Sequence, residues 1–504
     1  MRAGAIGEGL LAVRLDRASA REVRRTVGQT CAVDLPSAVE RQERRERDGG
    51  DRGGEEGAHA HLLSKRRATS NGGFAWKLRA ITCAKLGHRA YTRHVDRRPS
   101  FIAVALVGCV AACGSSRQDF VTPDAGGDGS IIGPGSDGTA PAPTVVGHLT
   151  GKVFAPEGTI PISGALVYLA VGKPATQTKG VYCDKCVELT ATTAYTYSKA
   201  DGTFDLGAYY EGDQWLVVQK GQFRRARPFT VKAPTQVVPA PLSTLPGKSN
   251  PDAGDEIPKM AVVQAQWDKI EVSLARLGLG VVTKDFLNQP QVKPSDANFD
   301  IVDPTLFDSS AKLAQYNIVF AGCSFSSGTT CDTSQPAGSS TVQKNLQDFV
   351  KAGGKLYTSD YSYELVRQPW PGFVHWDGET GTLGSACQSG AYDTTAQVTD
   401  PGLSAWLSAL GDPTPTLKQS WTSIKSVSPQ PGTDQDGKPT TITPKVWMSG
   451  NGKPMTVSFQ NGCGRVLFST YHTEASDQLL SQEKALLYVL LEVGVCVGTL
   501  PPPK

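Results

Sequence analysis

The twelve residues Phe101–Ala112 (FIAVALVGCVAA) are all apolar or small, and they decide how much of this 504-residue chain is available to fold. A membrane-spanning helix needs about 20 such residues, so the run is too short to cross a bilayer. A basic patch stands before it, made of Arg93, His94, Arg97 and Arg98. Basic residues, then a short apolar run ending in small residues, form the pattern of a secretory signal, which is removed from the mature protein. The folding chain is therefore expected to start near residue 113, in an oxidising setting. Charge divides at the same place. Residues 1–112 carry 21 Lys+Arg against 12 Asp+Glu, whereas residues 113–504 carry 30 against 36. The basic character belongs to the part that export removes, and the rest gives no reason to expect nucleic-acid binding.

Residues 1–95 are rich in Arg, Glu, Gly and Ala and lack sustained apolar periodicity, which predicts a disordered basic extension. A signal should lie close to the N-terminus, yet this one begins near residue 96. The simplest account is a translation start assigned too early; a genuine cytoplasmic extension is the rival. The end of the apolar run, Val110-Ala111-Ala112-Cys113, resembles the lipobox of bacterial lipoproteins. Small residues there let a peptidase hold the chain extended, and the cysteine sulfur takes a diacylglycerol. The resemblance implies a lipoprotein signal peptide over 96–112 and lipidation at Cys113. Gly114 after it, in place of Asp, implies sorting to the outer membrane of a double-membraned cell envelope. Residues 113–145, dominated by Gly, Asp, Pro and Ser, read as a flexible tether.

Of eleven cysteines, Cys31, Cys83 and Cys109 precede the cleavage site, and seven follow Cys113: Cys183, Cys186, Cys323, Cys331, Cys387, Cys463 and Cys496. Exported cysteines usually pair, and an odd number permits at most three bridges and leaves one thiol over. Cys183-Asp184-Lys185-Cys186 lacks the helix N-terminus that activates redox thiols, and no second CxxC completes a zinc site. A local Cys183–Cys186 bridge is the plain expectation. Cys323 and Cys331 form a second candidate pair.

Residues 146–238 read as short strands at regular spacing, among them ALVYLAV and QWLVVQKG, separated by Gly, Pro and Asp turns. This is the pattern of an all-β sandwich. The segments Thr150-Gly151-Lys152-Val153, Pro161–Tyr168 and Ser198-Lys199-Ala200-Asp201-Gly202-Thr203-Phe204 resemble the carboxypeptidase regulatory-like, prealbumin-like family. The resemblance implies a structural or recognition module of prealbumin/Ig-like fold. A polar, Pro-rich linker is expected over 239–257.

From 258 to 497 helical and strand patterns alternate, as in an α/β domain. Met260–Val263, Tyr316–Ala321 and Lys355–Thr358 are short apolar strands. Trp267–Leu277 and Val342–Lys351 are amphipathic helices, each followed by glycines. Asn461-Gly462 joins a hairpin, Gln482–Val493 is a closing helix, and the Pro/Gly-rich stretch 366–440 reads as an insertion. The order YNIVFAGC, LQDFVKAGGKLYTSDYSYEL, GCGRVLFSTYHTE resembles the class I glutamine amidotransferase-like fold, which is flavodoxin-like. In that family a cysteine nucleophile sits on a strand-to-helix elbow and a later strand delivers His-x-Glu. Here Asp360 falls at the nucleophile position, and Tyr471-His472-Thr473-Glu474 matches the His-Pro-Glu signature with Thr for Pro. A carboxylate is far weaker toward an amide than a thiolate. The candidates for chemistry are thus His472 and Glu474, with Ser359, Asp360 or Cys323.

The expected protein is multidomain: a disordered N-terminus, an all-β sandwich and an α/β flavodoxin-like domain. Its expected role is that of a membrane-anchored binding or scaffolding lipoprotein. The partner is an envelope protein, peptidoglycan or a glycan, with no nucleic acid, cofactor or metal. One alternative is an envelope hydrolase of amides, esters or glycans using His472. Another is a carbohydrate-binding protein, because Trp370, Trp376, Trp406, Trp421 and Trp447 gather in and near the insertion.

Overall fold

A computed structural model describes residues 143–190, 192–324, 336–387, 390–474, 476–491 and 497–499. The expected extension, signal peptide, Cys113 and nearly all of the tether lie outside the described residues, as do Cys331 and Cys496. No described helix is long and apolar enough to cross a membrane.

The N-terminal part of the described chain is built from two facing sheets. Its strands are β1 (Gly147–Lys152), β2 (Leu166–Ala170), β3 (Tyr195–Tyr197), β4 (Thr203–Ala208), β5 (Gly212–Lys220), β6 (Phe223–Val231), β7 (Thr235–Val237) and β8 (Asp255–Glu256). One sheet runs β4-β1-β7 and the other β3-β2-β5-β6-β8. Alternation selects the inner faces. Leu149, Phe204 and Leu206 from the first sheet and Val167, Leu169, Leu216 and Val218 from the second share one apolar cluster. At the turn before β4, a side chain on Gly202 (φ +80°) would meet the Val153 carbonyl, and the Asp201 carboxylate accepts from the Thr203 N–H at 3.0 Å.

The segment expected to be a linker is ordered, and it is part of this architecture. Leu245 is buried, and β8 pairs antiparallel with β6. The two acidic residues of β8 meet the basic residues of β6. Glu256 takes Arg224, and Asp255 takes Arg225 Nε at 2.8 Å and Arg227 Nη2 at 2.6 Å. A two-residue charged strand has no apolar pattern to announce it, so composition alone reads as linker.

Beyond it lies one eight-stranded sheet. Its strands are β9 (Met260–Val263), β10 (Asp300–Val302), β11 (Ile318–Ala321), β12 (Lys355–Ser359), β13 (Gln397–Val398), β14 (Lys445–Gly450), β15 (Lys453–Asn461) and β16 (Gly464–Ser469). The order is β10-β9-β11-β12-β16-β15-β14-β13. The first five are parallel, and β16, β15, β14 and β13 pair antiparallel in succession. Strands β9, β11 and β12 are buried throughout, as parallel strands covered on both faces must be. Period two divides their side chains between two cores. Met260, Val262, Ile318 and Phe320 join the cluster that also holds the inner faces of the N-terminal sheets. Ala261, Val263, Val319 and Ala321 face the other way, onto Val342, Leu346, Phe349 and Val350 of the helix Ser340–Lys351.

The helix expected over 267–277 forms from Ile270 and turns through Gly278, at φ +87°. The insertion carries small two-stranded sheets and the helix Pro401–Ala409. From that helix the buried Trp406 donates from Nε1 to the Pro161 carbonyl at 2.7 Å, joining the insertion to the N-terminal sheets. Of the five tryptophans expected in and near the insertion, Trp370, Trp376, Trp406 and Trp447 are core residues and Trp421 keeps partial exposure.

The cysteine expectations need correction. Cys183 pairs with Cys463, not Cys186. The loop bearing Cys183 lies against the turn before β12, so closely that a Cβ on Gly353 would fall 1.9 Å from the Tyr182 carbonyl. That placement aims Cys183 at the β15–β16 hairpin. Cys186 and Cys387 are also disulfide-bonded. Cys323 is a free, buried thiol, so it makes no bridge with Cys331.

The closing helix, Ser481–Leu491, starts with a buried carboxyl. Glu483 accepts the Glu474 and Leu480 N–H groups, each at 2.8 Å. Burial raises its pKa from about 4.5 to about 7, against the lowering effect of those two donors. The folded state therefore holds this proton more tightly than the unfolded chain. The associated stability is complete below pH 4.5 and is lost as pH rises through about 7. We expect the free energy of unfolding to fall by up to about 3 kcal/mol across that window. His472, also raised, acts in the same direction. In Glu483→Gln the slope should shrink without vanishing, as read from denaturant titrations at several pH values; an unchanged slope would exclude Glu483 as its source.

Candidate functional site

The parallel strands β9, β11, β12 and β16 all end at one edge of the sheet, and the chain that leaves each of them supplies one polar residue or more to a single buried cluster. This is where ligands gather in open α/β sheets. Asp268 follows β9, Cys323 follows β11, Ser359 and Asp360 end β12, and His472 and Thr473 follow β16. Burial is nearly complete: Cys323, Ser359 and Asp360 are at 0% exposure, and His472 is at 5%.

Asp360 stands where strand turns to helix, with φ +43°, a left-handed conformation that Asp tolerates better than most residues. That twist sends its side chain and that of Ser359 to different partners. Ser359 Oγ donates to Asp268 Oδ2, whereas Asp360 Oδ2 accepts the Trp421 N–H at 2.9 Å. His472 Nε2 lies 3.0 Å from the same Oδ2. The two groups form a close buried pair, in which Asp360 Oδ1 has no hydrogen-bond partner of its own. The Thr422 hydroxyl, next to Trp421, faces the same carboxyl.

Electrostatics follow from burial. Desolvation pushes the Asp360 carboxyl up, against the lowering effect of His472. Desolvation alone would lower His472, but Asp360 beside it reverses the sign and raises it. Both directions favour a proton held within the pair. Burial, then Asp360, pushes the Cys323 thiol well above its ordinary range, the opposite of what a reactive thiolate needs.

The sequence candidates are brought together in part. Cys323, Asp360 and His472 each offer a ligand atom, and these atoms lie within 4.8 Å of one another. Ser359 turns away to Asp268. The carboxylate against His472 is Asp360 and not the expected Glu474, whose backbone N–H donates to Glu483. Sequence reasoning passed over Asp268 and Thr422, and it took Trp421 only as an aromatic for sugar binding, whereas here its backbone N–H acts on Asp360. Asp268 accepts the Thr473 N–H at 2.8 Å and the Thr473 hydroxyl as well as Ser359. The one available signal was its place shortly after an apolar strand. Thr473 stands where the resembled signature has proline, and a proline would lack the N–H that Asp268 receives.

No protein-family profile matches this chain, and no curated protein matches it. Among solved structures it is similar to a cytoplasmic protein from Salmonella typhimurium, at 11% identity and a TM-score of 0.28, over 46% of this chain and 98% of that one. It is also similar to the mmIFT52 N-terminal domain, at 11% identity and a TM-score of 0.28, over 47% and 97% of the two chains. A GH42 β-galactosidase from G. stearothermophilus gives 13% identity and a TM-score of 0.25, over 48% of this chain and 30% of its own length. Likenesses this slight carry no argument about fold or activity.

Proposed function

We propose that this chain is an outer-membrane lipoprotein, anchored through Cys113, that binds or scaffolds at the cell envelope. A carboxypeptidase regulatory-like module precedes a class I glutamine amidotransferase-like, flavodoxin-like domain without hydrolytic activity. The parallel strand order supports the flavodoxin-like part. Taken in chain order, the five parallel strands lie 2-1-3-4-5, as in doubly wound folds of that type. Disulfide bonding at Cys183, Cys186, Cys387 and Cys463 supports an oxidising compartment.

One observation carries the non-hydrolytic reading. The hydroxyl that would attack, Ser359 Oγ, is fully buried and donates to Asp268, and the one thiol near His472, Cys323, is fully buried and pushed up by that burial, away from the thiolate a nucleophile needs. Four of the five clustered tryptophans are in the core, which removes most of the aromatic surface a sugar site would use.

The test pairs two measurements. Labelling with a fatty-acid analogue should mark the native chain but not Cys113→Ser, with a mature mass beginning at Cys113; equal, unlipidated chains that keep residues 1–112 would refute the anchor. Covalent serine and thiol probes should label the native protein and His472→Ala alike, at background level. Labelling of the native protein that His472→Ala abolishes would establish the hydrolase instead.

A further inference from the structure

The cluster of Cys323, Asp360 and His472 has a use that needs no substrate access. We propose that these three residues bind a divalent transition-metal ion, with zinc as the best fit, inside the sheet edge formed by β11, β12 and β16. This runs against the sequence expectation of no metal, and it holds whether or not the envelope reading does.

Three observations carry it. First, the donor set is right: one thiol, one imidazole and one carboxylate, each from a different strand end, with ligand atoms within 4.8 Å of one another. Sulfur, nitrogen and oxygen donors in one site suit zinc, whereas calcium and magnesium take oxygen alone. Second, the donors are uncommitted in the way ligands must be. Asp360 Oδ1 is buried without a hydrogen-bond partner, Cys323 is the free cysteine among the described residues, and the His472 imidazole meets only the Asp360 carboxylate, 3.0 Å away. A buried polar atom left unpaired costs about 1–3 kcal/mol, so Oδ1 beside a buried thiol and imidazole calls for an explanation. A cation supplies one. Third, the carboxylate is already oriented: Asp360 Oδ2 is held by the Trp421 N–H, which frees Oδ1 to ligate and serves as the outer hydrogen bond that metal-binding carboxylates usually have.

Binding balances simply. The thiol proton and the proton held between Asp360 and His472 pass to the buffer, and three coordinate bonds form, at the Cys323 sulfur, an imidazole nitrogen of His472 and a carboxylate oxygen of Asp360. Because the donors are closed off, the ion enters as the chain folds or through local opening.

The experiment uses the full chain produced with cobalt(II) as the spectroscopic substitute for zinc. We expect about one metal ion per chain and a sulfur-to-cobalt charge-transfer band. Cys323→Ala should lose the band. Asp360→Asn, which keeps every thiol, should retain metal at least about tenfold less well, with unchanged far-ultraviolet circular dichroism. If either variant fails to fold, X-ray absorption at the cobalt edge of the native chain decides alone, and one sulfur scatterer among lighter ones is expected. A folded native chain without metal, a bound metal with no sulfur or several, or a band that survives Cys323→Ala would each overturn the proposal.

Discussion

Replacing Cys183 and Cys463 together with serine is expected to lower the free energy of unfolding by roughly 2–5 kcal/mol. The two cysteines are 280 residues apart in sequence. A bridge across so long a loop removes a large share of the unfolded chain's freedom, so its loss is felt mainly in the unfolded state. Neighbouring contacts limit the damage. Asp184, next to Cys183, meets the buried Lys355 Nζ at 2.7 Å and accepts from Gln222 Nε2 at 2.7 Å. Burial lowers the Lys355 pKa, and Asp184 opposes that shift, so the contact joins the loop to β12 without the sulfur. The measurement is the denaturant midpoint of the double variant against the native chain under non-reducing conditions. Equal midpoints would show that the contacts around Asp184 hold the loop without the bridge.

The second large effect belongs to Asp268→Ala. Its carboxyl accepts from Ser359 Oγ, from the Thr473 hydroxyl and from the Thr473 N–H, and it is 1% exposed. Alanine leaves three buried donors without acceptors and opens a small cavity. We expect a loss of roughly 3–5 kcal/mol, the range found when one member of a buried polar network is removed. Asp268→Asn keeps the shape and one acceptor oxygen, so it should cost distinctly less. Thermal unfolding of both variants checks this ranking, and similar losses for the two would mean that shape, not hydrogen bonding, is what Asp268 supplies.

These two sites also show where the sequence was legible. The apolar runs Ile318–Ala321 and Met260–Val263 identify buried strands because nothing polar interrupts them, and Asn461-Gly462 marks its hairpin by the backbone it permits. The short distance between Cys183 and Cys186 misled, because nearness in sequence does not say which way a loop presents its sulfurs. Asp255 and Glu256 were hidden because a strand of two charged residues is recognised only by the arginines opposite. Asp268 lies 205 residues from Thr473, and their pairing exists only once β9 and β16 have taken their places. In the sequence, Cys323 and Asp360 stand as alternatives beside His472 in a hydrolase; their mutual distances are what make all three a set.

The shared apolar cluster has a consequence for heredity. Met260, Val262, Ile318 and Phe320 are covered by the same core that lines the N-terminal sheets, and Trp406 reaches across to Pro161. Neither part could be copied into another gene as a cassette without uncovering apolar surface on both sides of the cut. Recombination should therefore pass this pair on intact, and any rearranged descendant would need compensating changes along the whole of that seam.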